Sequence, residues 1–461
     1  MEIPFTYWMP SGGSENSFIV ILTGILLLLS VIVFIRAKYD ILYPPFIVCS
    51  SFTLCCALDA LYTTAWSLPM HFNTSVIILT MILCFILGSE LAGVSRSRES
   101  ETGGPPIGPF NPDIPASLFW VIFGILILFL VQNYYEFLDI AGQVTSSTNF
   151  SDMLFPVTDG IAHNKVHFSR LFSYRLLFAK GIAYMSVLLL WHEIFSARYW
   201  RCGYWLSLIA LYCGFVVLTA GRQQFLYLAL FMLVSFLLFS RRSRYEKNPG
   251  CNQNNFAIKE AITVGIAFFG FLIFFMGLGV ASGKVTLGMG MFRALAHYAG
   301  TNIAAFDVFI NEMNIPINQY IGANTLVAAQ SFFKLIGGGP GNFGGYITDF
   351  TYFGDSAGNV STNVYTAFYR YIIDYGYIGC ALIMFLFGYG FTTFYRYILA
   401  KKMPDWMILI YGAMVYPIFL FCREERFMNE VLTIQTAVLL VFLFVLYRIC
   451  LLFGGKKGRL L

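Results

Sequence analysis

Charged side chains are scarce in this sequence. Only 11% of its 461 residues are Asp, Glu, Lys or Arg, whereas soluble globular domains carry about 25%. This shortage excludes a water-soluble enzyme, a disordered chain and a nucleic-acid-binding module. Hydrophobic residues make up 58% of the chain, and they occur in long runs rather than in alternating or 3.6-residue patterns, which is typical of helices that face lipid. We therefore predict an all-α, polytopic integral membrane protein.

Several chemical motifs are also missing. The ten cysteines include no Cys-x-x-Cys pair, and most lie inside apolar runs, where cysteine acts as a small hydrophobic residue. The glycine run 337–345 lacks the Lys and Ser or Thr of a nucleotide-binding P-loop, and we interpret it as a hinge or lid. His163 and His167 have helical spacing, but the glutamate of a zinc-binding HExxH motif and a third ligand are absent. We expect no metal and no cofactor.

Eleven apolar segments are candidates to cross the membrane, because a crossing helix needs about 20 apolar residues. No basic segment precedes the first of them and no small-residue cleavage site follows it, so we expect no cleavable signal peptide. We predict one transmembrane domain over 1–461. The segments are 17–35, 43–66, 74–94, 114–132, 171–195, 203–220, 223–240, 257–280, 377–396, 406–421 and 431–450.

The distribution of Lys and Arg predicts the orientation of these segments. One set of alternate connections is rich in basic residues, such as Arg241, Arg242 and Arg244, which is typical of cytoplasmic loops. The C-terminus then lies inside and the N-terminus outside. The outer face carries a smaller loop, 133–170, and one large loop, 281–376. Because binding and catalytic residues gather on such loops, we expect the functional site on this face.

Arginines at the outer boundary of the membrane are the first candidate site residues. An Arg in hydrocarbon costs roughly 2.5–3.5 kcal/mol on insertion scales, and its planar fork suits bidentate binding of phosphate. Arg222 lies in a tight turn between two apolar runs. The alternatives for Arg222 are snorkelling to the interface or a structural ion pair. Arg423, Glu424 and Arg426 form a second cluster, which could also be a solvated loop with internal ion pairs.

Two further groups of residues belong to the large loop and the helix that follows it. Arg293 and His297 lie four residues apart, so on a helix they could bind an anion and transfer a proton, although a structural histidine is the commoner case. The stretch 359–379 is rich in tyrosine, which is typical of an aromatic belt at the interface. The belt does not account for the polar residues within the stretch, and aromatic faces beside hydrogen-bonding groups also bind sugars. These residues are Asn363, Thr366, Tyr369, Arg370 and Asp374.

Three motifs resemble one family of membrane enzymes. TAGRQQFLYL, 219–228, resembles the Gly-Arg turn of bacterial oligosaccharide repeat-unit polymerases. NVYTAFYRYIIDYGYIG, 363–379, resembles the segment of that family in which a helix follows the large outer loop, although Tyr375 replaces the commoner phenylalanine and Arg370 is unusual. CREERF, 422–427, is similar to the Arg-Glu turn of that family between its last two spans. The chain thus resembles the Wzy-type O-antigen polymerases.

The resemblance implies a glycosyltransferase at the periplasmic face of the bacterial inner membrane, with the N-terminus periplasmic and the C-terminus cytoplasmic. It would join undecaprenyl-pyrophosphate-linked repeat units into polysaccharide and release undecaprenyl pyrophosphate, without a nucleotide sugar or nucleic acid. A separate protein would regulate chain length. On this interpretation the catalytic candidates are Arg222, Arg423, Glu424, Arg370, Arg293 and His297, and the substrate-binding candidates are Asn363, Thr366, Tyr369, Asp374 and Arg426.

Two other functions and the identity of a general base remain open. An O-antigen ligase would use the same donor with lipid A core as acceptor. A flippase or other transporter of lipid-linked oligosaccharide is a further alternative, although the chain has no internal repeat of the kind many transporters show. Glu424, Asp374 and His297 are the candidates for a general base, in that order.

Overall fold

A computed structural model gives the architecture of most of the bundle. The glycine run 337–345 and His163 lie outside the residues it describes. Those residues are 17–94, 114–162, 165–219, 221–247, 254–281, 291–311, 322–326, 351–353, 360–400 and 403–453.

Helices make up nearly all of the described chain. A 3-10 turn, Tyr199–Arg201, precedes α7, and a π-helical turn, Phe427–Val431, precedes the last helix. Two short strands, β1 (Thr351–Phe353) and β2 (Val360–Thr362), pair antiparallel within the large loop. The helices are α1 Ser17–Arg36, α2 Pro44–Trp66, α3 Phe72–Val94, α4 Ala116–Val144, α5 Phe150–Ala162, α6 Arg170–Phe195, α7 Cys202–Leu218, α8 Gln223–Lys247, α9 Asn254–Ala281, α10 Met291–Ala299, α11 Thr301–Asn311, α12 Ala367–Ala400, α13 Asp405–Met414, α14 Tyr416–Leu420 and α15 Ile434–Phe453.

Within the ranges given above, 9 helices are long and apolar enough to cross a membrane, which confirms the prediction of a multi-pass, helical membrane protein. The predicted segment 257–280 falls in α9, which has 28 residues. The segment 406–421 forms the two short helices α13 and α14. They separate at Val415, and Pro417 lies in the first turn of α14, where its lack of an N–H to donate is tolerated. The count of eleven crossings stays a prediction.

Helices α3 and α12 pack along one another with their backbones in close contact. A Cβ atom on Gly88 would lie 1.9 Å from the carbonyl oxygen of Phe385, and one on Gly388 would lie 1.9 Å from that of Phe85. Glycine at both positions permits this approach, as small residues do between membrane helices. The Ser89 hydroxyl also donates to the Gly388 carbonyl at 3.0 Å. The contact fixes the position of α12 in the bundle.

A break at Gly376 redirects the first two turns of α12. Gly376 has φ 69° and ψ −178°, a conformation that residues with a Cβ rarely adopt. The helix therefore changes direction between its short first part, which carries Arg370 and Asp374, and its membrane-spanning part. Gly376 belongs to the Asp-Tyr-Gly sequence of the motif 363–379, so the break in the helix falls within that motif.

Helices α10 and α11 form a hairpin that reaches inward along α2. Arg293 in α10 lies 6.0 Å from the ring centroid of Trp66, the last residue of α2. Gly300 lies two turns deeper, and a Cβ there would be 3.0 Å from the backbone nitrogen of Asp59. Asn302 then donates its side-chain amide to the carbonyl of Cys422. The tip of this α10–α11 hairpin is thus seated inside the bundle, next to the turn that carries Arg423.

Candidate functional site

Arg222 and Arg423 come together from turns about 200 residues apart in the chain, and we call them the arginine pair. Arg222 lies just before α8, and Arg423 follows α14. Burial lowers the pKa of the Arg222 guanidinium below its ordinary value; a hydrogen bond and electrostatic interaction with Tyr298 oppose this shift, and the charge of Arg423 adds to it. Both arginines are half-buried cations, and like charges that interact electrostatically repel one another. The arrangement therefore favours an anion between or above them.

The tip of the α10–α11 hairpin covers the arginine pair. The guanidinium carbon of Arg222 lies 5.5 Å from the ring centroid of Tyr298, within the range of a cation–π contact. His297 is the preceding residue, and its ring centroid is 5.4 Å from that of Tyr298. The structure thus brings the predicted His297 close to the predicted Arg222. Arg293 lies farther out on the same helix, exposed beside Trp66.

A small recess adjoins Arg423. It lies between the start of α8 and the turn after α14, so it opens where the two motifs Gly-Arg and Arg-Glu-Glu-Arg meet. Both apolar and charged side chains form its wall. The lining residues are Gln223, Leu226, Tyr227, Leu420, Arg423, Glu424 and Arg426.

The two arginines of the Arg-Glu-Glu-Arg turn differ in their partners. Arg426 forms ion pairs with both Glu424 and Glu430. Glu430 in turn accepts hydrogen bonds from the hydroxyl groups of Tyr227 at 3.1 Å and Tyr416 at 3.0 Å. Arg423 forms no ion pair with any carboxylate in the ranges that the structure covers. The alternative of a turn with internal ion pairs therefore applies to Arg426. Arg423 has no such pair among the described residues, so it remains a candidate to bind an anionic ligand.

Arg370 and Asp374 hold the loop segment 322–326 against α12. Arg370 is buried, donates to the Asn324 carbonyl at 3.3 Å and has a nitrogen 3.7 Å from a Glu424 oxygen. The Asp374 carboxylate is fully buried and accepts five hydrogen bonds, from the backbone and side chains of Asn324 and Thr325. With its oxygens so occupied, Asp374 anchors the loop beside the recess.

The other predicted substrate-binding residues lie in different environments. Tyr369 is buried, and its ring stacks on Tyr365 with centroids 4.4 Å apart. Thr366 is also buried. Asn363 is exposed just before α12. The tyrosine-rich stretch therefore forms part of the core as well as its surface, and of the three residues Tyr369, Thr366 and Asn363 only Asn363 is exposed.

Glu425 is a structural acid that sequence spacing did not single out. Its carboxylate has no exposed surface and accepts from the Tyr371 hydroxyl at 3.0 Å and from the backbone nitrogens of Met428 and Asn429 at 2.6 and 3.1 Å. Burial raises the pKa of this carboxyl above its ordinary value, against the lowering effect of these hydrogen bonds. Glu425 fixes the shape of the turn that presents Arg423.

Lys180 in α6 lies next to the recess; in the sequence it is one of the ionisable residues outside the cytoplasmic loops, and it interrupts an apolar run. Its ammonium group donates to the Gln224 side-chain oxygen at 3.1 Å. It also lies 5.6 Å from the ring centroid of Tyr227, which lines the recess. A lysine within an otherwise apolar span is the signal that identifies it. It adds a further positive charge on the α6 side.

Comparison of the chain with protein-family models, with curated proteins and with solved structures finds no match. In the portion of the chain for which positions are given, no group of three or more His, Cys, Asp or Glu side chains is placed to hold a metal ion.

Proposed function

We propose that this protein is a glycosyltransferase that polymerises oligosaccharide repeat units carried on undecaprenyl pyrophosphate, as its motif resemblance implies. The observation that carries the proposal is the arginine pair beside a recess with mixed apolar and charged walls. A pyrophosphate offers oxygens to more than one guanidinium, and it offsets the repulsion between the two cations. The polyprenyl tail would extend along the apolar surface of the bundle.

The reaction requires a leaving group that departs with a pair of electrons. A hydroxyl oxygen of the acceptor repeat unit attacks the anomeric carbon of the donor glycan, and the bond from that carbon to the pyrophosphate oxygen breaks. The electron pair of the broken bond goes to undecaprenyl pyrophosphate. Arg222 and Arg423 stabilise this developing charge, which is the kind of electrostatic contribution that fixed donors make to a transition state.

Glu424 has a positioning role in this proposal. It pairs with Arg426 and lies 3.7 Å from Arg370, and it lines the recess beside Arg423. The carboxylate thereby aligns one arginine in the turn and one in α12 around the recess. Arg370, Tyr369 and Asp374 form the wall behind it, while Asn363, Arg293 and His297 are proposed to contact the glycan above.

The membrane and the partners follow from the same proposal. The end of the bundle with the arginine pair would face the periplasm, with the N-terminus on that side and the C-terminus in the cytoplasm of a bacterial inner membrane. Donor and acceptor are lipid-linked oligosaccharides, and a chain-length regulator would act on the product.

Polymerisation by the purified protein tests the proposal. Lipid-linked repeat units from the source bacterium are incubated with wild type, Arg222→Ala and Arg36→Ala in detergent, without metal or nucleotide. Arg36 is a matched control, because its side chain is 66% exposed and lies 3.9 Å from Glu90 at the other end of the bundle. We expect a ladder of products from wild type and Arg36→Ala, and its loss from Arg222→Ala.

Two outcomes would contradict the proposal. A full ladder from folded Arg222→Ala would remove the arginine pair from the mechanism. Folded wild type that forms no ladder would exclude a polymerase. Transfer of the glycan to lipid A core would then identify a ligase, and movement of the lipid across vesicles without transfer would identify a flippase.

A further inference from the structure

A histidine outside the predicted site is clamped by a buried carboxylate. His71 lies in the turn between α2 and α3, and Asp307 lies in α11 with no exposed surface. One Asp307 oxygen accepts from the His71 backbone nitrogen at 2.8 Å, and the other lies 2.6 Å from its ring nitrogen Nδ1. Asn311 donates to the first oxygen at 3.3 Å. The carboxylate thus fixes both the backbone and the ring of His71.

This contact determines which ring nitrogen is available. A carboxylate oxygen only accepts, so Nδ1 carries the hydrogen and the other nitrogen, Nε2, holds the lone pair of the neutral ring. The His71 side chain is 42% exposed. A purely structural role as a link between α11 and α3 would need only the bond to the backbone nitrogen. The second oxygen orients an exposed imidazole, which is the arrangement of a general base with its positioning carboxylate.

The α10–α11 hairpin links this dyad to the arginine pair. Tyr298 near its tip contacts Arg222, and Asn302 holds the Cys422 carbonyl next to Arg423. Asp307 lies five residues beyond Asn302 on α11, about 7.5 Å farther along the helix axis at 1.5 Å per residue. The reacting carbon of the donor is bonded to the pyrophosphate, and the acceptor hydroxyl lies beyond it. A base that lies farther outward than the arginine pair would therefore be on the side of the acceptor hydroxyl, as the reaction requires.

We propose that His71 is the catalytic base that accepts the proton of the acceptor hydroxyl, with Asp307 as its positioning residue. This inference rests on the proposed function and adds the base that it lacks. The hydroxyl proton passes to Nε2 of His71 as the oxygen forms its bond to the anomeric carbon, and the pyrophosphate leaves with the electron pair. Asp307 stabilises the imidazolium, which then releases the proton to water. Asp59 in α2, whose Oδ2 has no hydrogen-bond partner among the described residues, is the other acidic group that acts electrostatically on Asp307.

Steady-state rates of the three variants His71→Gln, Asp307→Asn and His167→Gln test this assignment, with lipid-linked repeat units as substrate. His167 is the matched control, since it is an exposed histidine on the other outer loop. General-base catalysis contributes about 10²–10⁴-fold, so we expect kcat of His71→Gln to fall by that factor with little change in KM. Asp307→Asn lowers kcat in the same direction, and His167→Gln has no effect.

A second readout separates catalysis from a structural role. Protonation of His71 would make the wild-type rate fall on acidification, and this dependence would be absent in His71→Gln. Added imidazole would restore part of the rate of His71→Gly. Folded His71→Gln with wild-type kcat and pH profile would overturn the assignment while the wild-type ladder kept the polymerase proposal. Loss of the wild-type ladder would instead contradict the proposed function itself.

Discussion

Arg222 immediately precedes helix α8, and Arg241 and Arg242 lie near its C-terminal end; these arginines have different partners. At its C-terminal end Arg241 pairs with Asp40 at 2.8 Å and with Glu260 at 2.5 Å, and Arg242 pairs with Asp405 at 2.8 Å. At its N-terminal end Arg222 has a tyrosine ring and a second arginine, Arg423, beside it. The ion pairs at the C-terminal end form a clamp between helices, whereas the arginines at the N-terminal end are the ones proposed to bind an anionic ligand.

This clamp, formed by the ion pairs of Arg241 and Arg242, connects segments that are far apart in the chain. Glu260 in α9 accepts from Arg241 and Arg244, and the Arg241 guanidinium also donates to the Tyr395 hydroxyl at 2.6 Å. Tyr395 in turn donates to Asp40 at 2.7 Å. Such a network is costly to disrupt because each remaining partner is left buried. Arg423, by contrast, forms no ion pair with a carboxylate among the described residues.

The largest expected effect on stability is at the clamp. Arg241→Ala leaves Asp40 and Glu260 without their main cation, and breaking a buried pair typically costs about 3–5 kcal/mol. We expect thermal unfolding in detergent at a clearly lower temperature, with activity per folded molecule retained. An unchanged unfolding temperature would mean that the clamp does not hold the helices together.

The arginine pair should show the opposite behaviour. Arg423→Ala removes a cation that stabilises the leaving group, and loss of one such donor lowers kcat by about 10²–10³-fold. Its unfolding temperature should change little, because Arg423 forms no ion pair among the residues described. Rates of polymerisation together with melting curves of both variants measure the contrast. A variant Arg423→Ala that melts early but polymerises normally would reverse it.

Gly376 links the site to the bundle and should affect both properties. A Cβ at φ 69° and ψ −178° is strained, at a typical cost of about 1–3 kcal/mol. Gly376→Ala should lower the unfolding temperature, and it should reduce the rate because Arg370 and Asp374 move. Gly390→Ala is the control, as a Cβ there meets nothing within 4 Å. If both substitutions changed the unfolding temperature and the rate equally, the helix break at Gly376 would have no special role.

The smallest effect concerns Glu425, whose carboxyl has a raised pKa because of burial. The native state then binds a proton more tightly than the unfolded state, so this group contributes stability below pH 4.5 that declines as the pH rises through its native pKa. Glu425→Gln removes that dependence. Wild type should lose stability relative to the variant as the pH rises from 4.5, which melting curves over a pH series would show. A constant difference across the series would exclude this linkage.

Sequence patterns predict the bundle better than they predict the partners of its charges. Long apolar runs correspond to the membrane helices, because hydrocarbon thickness directly constrains length and composition. By contrast, Arg423 and Arg426 look equivalent three residues apart in the sequence, and the ion pairs of Arg426 with Glu424 and Glu430 distinguish them in the structure. The motif predicts that Asp374 binds substrate, but in the structure its carboxylate accepts hydrogen bonds from the backbone of the segment 322–326.

Features that depend on contacts between distant parts of the chain could not be predicted from the sequence. His71 becomes notable only because Asp307, 236 residues later in the chain, is buried against it. The inward course of the α10–α11 hairpin depends on Gly300, which the composition of the loop does not distinguish from its many other glycines. Periodicity indicates helices, but it carries no information on which helix ends meet.

Binding of a short-chain polyprenyl pyrophosphate tests the central claim that the arginine pair holds a pyrophosphate. Thermal shifts are measured for wild type, Arg36→Ala and the double variant Arg222→Ala/Arg423→Ala, with polyprenyl alcohol as the uncharged control ligand. Ligand at 100 times its Kd stabilises a protein by about 2.7 kcal/mol. We predict a rise in unfolding temperature with the pyrophosphate for wild type and Arg36→Ala, and none for the double variant. An equal rise in all three proteins would contradict the claim.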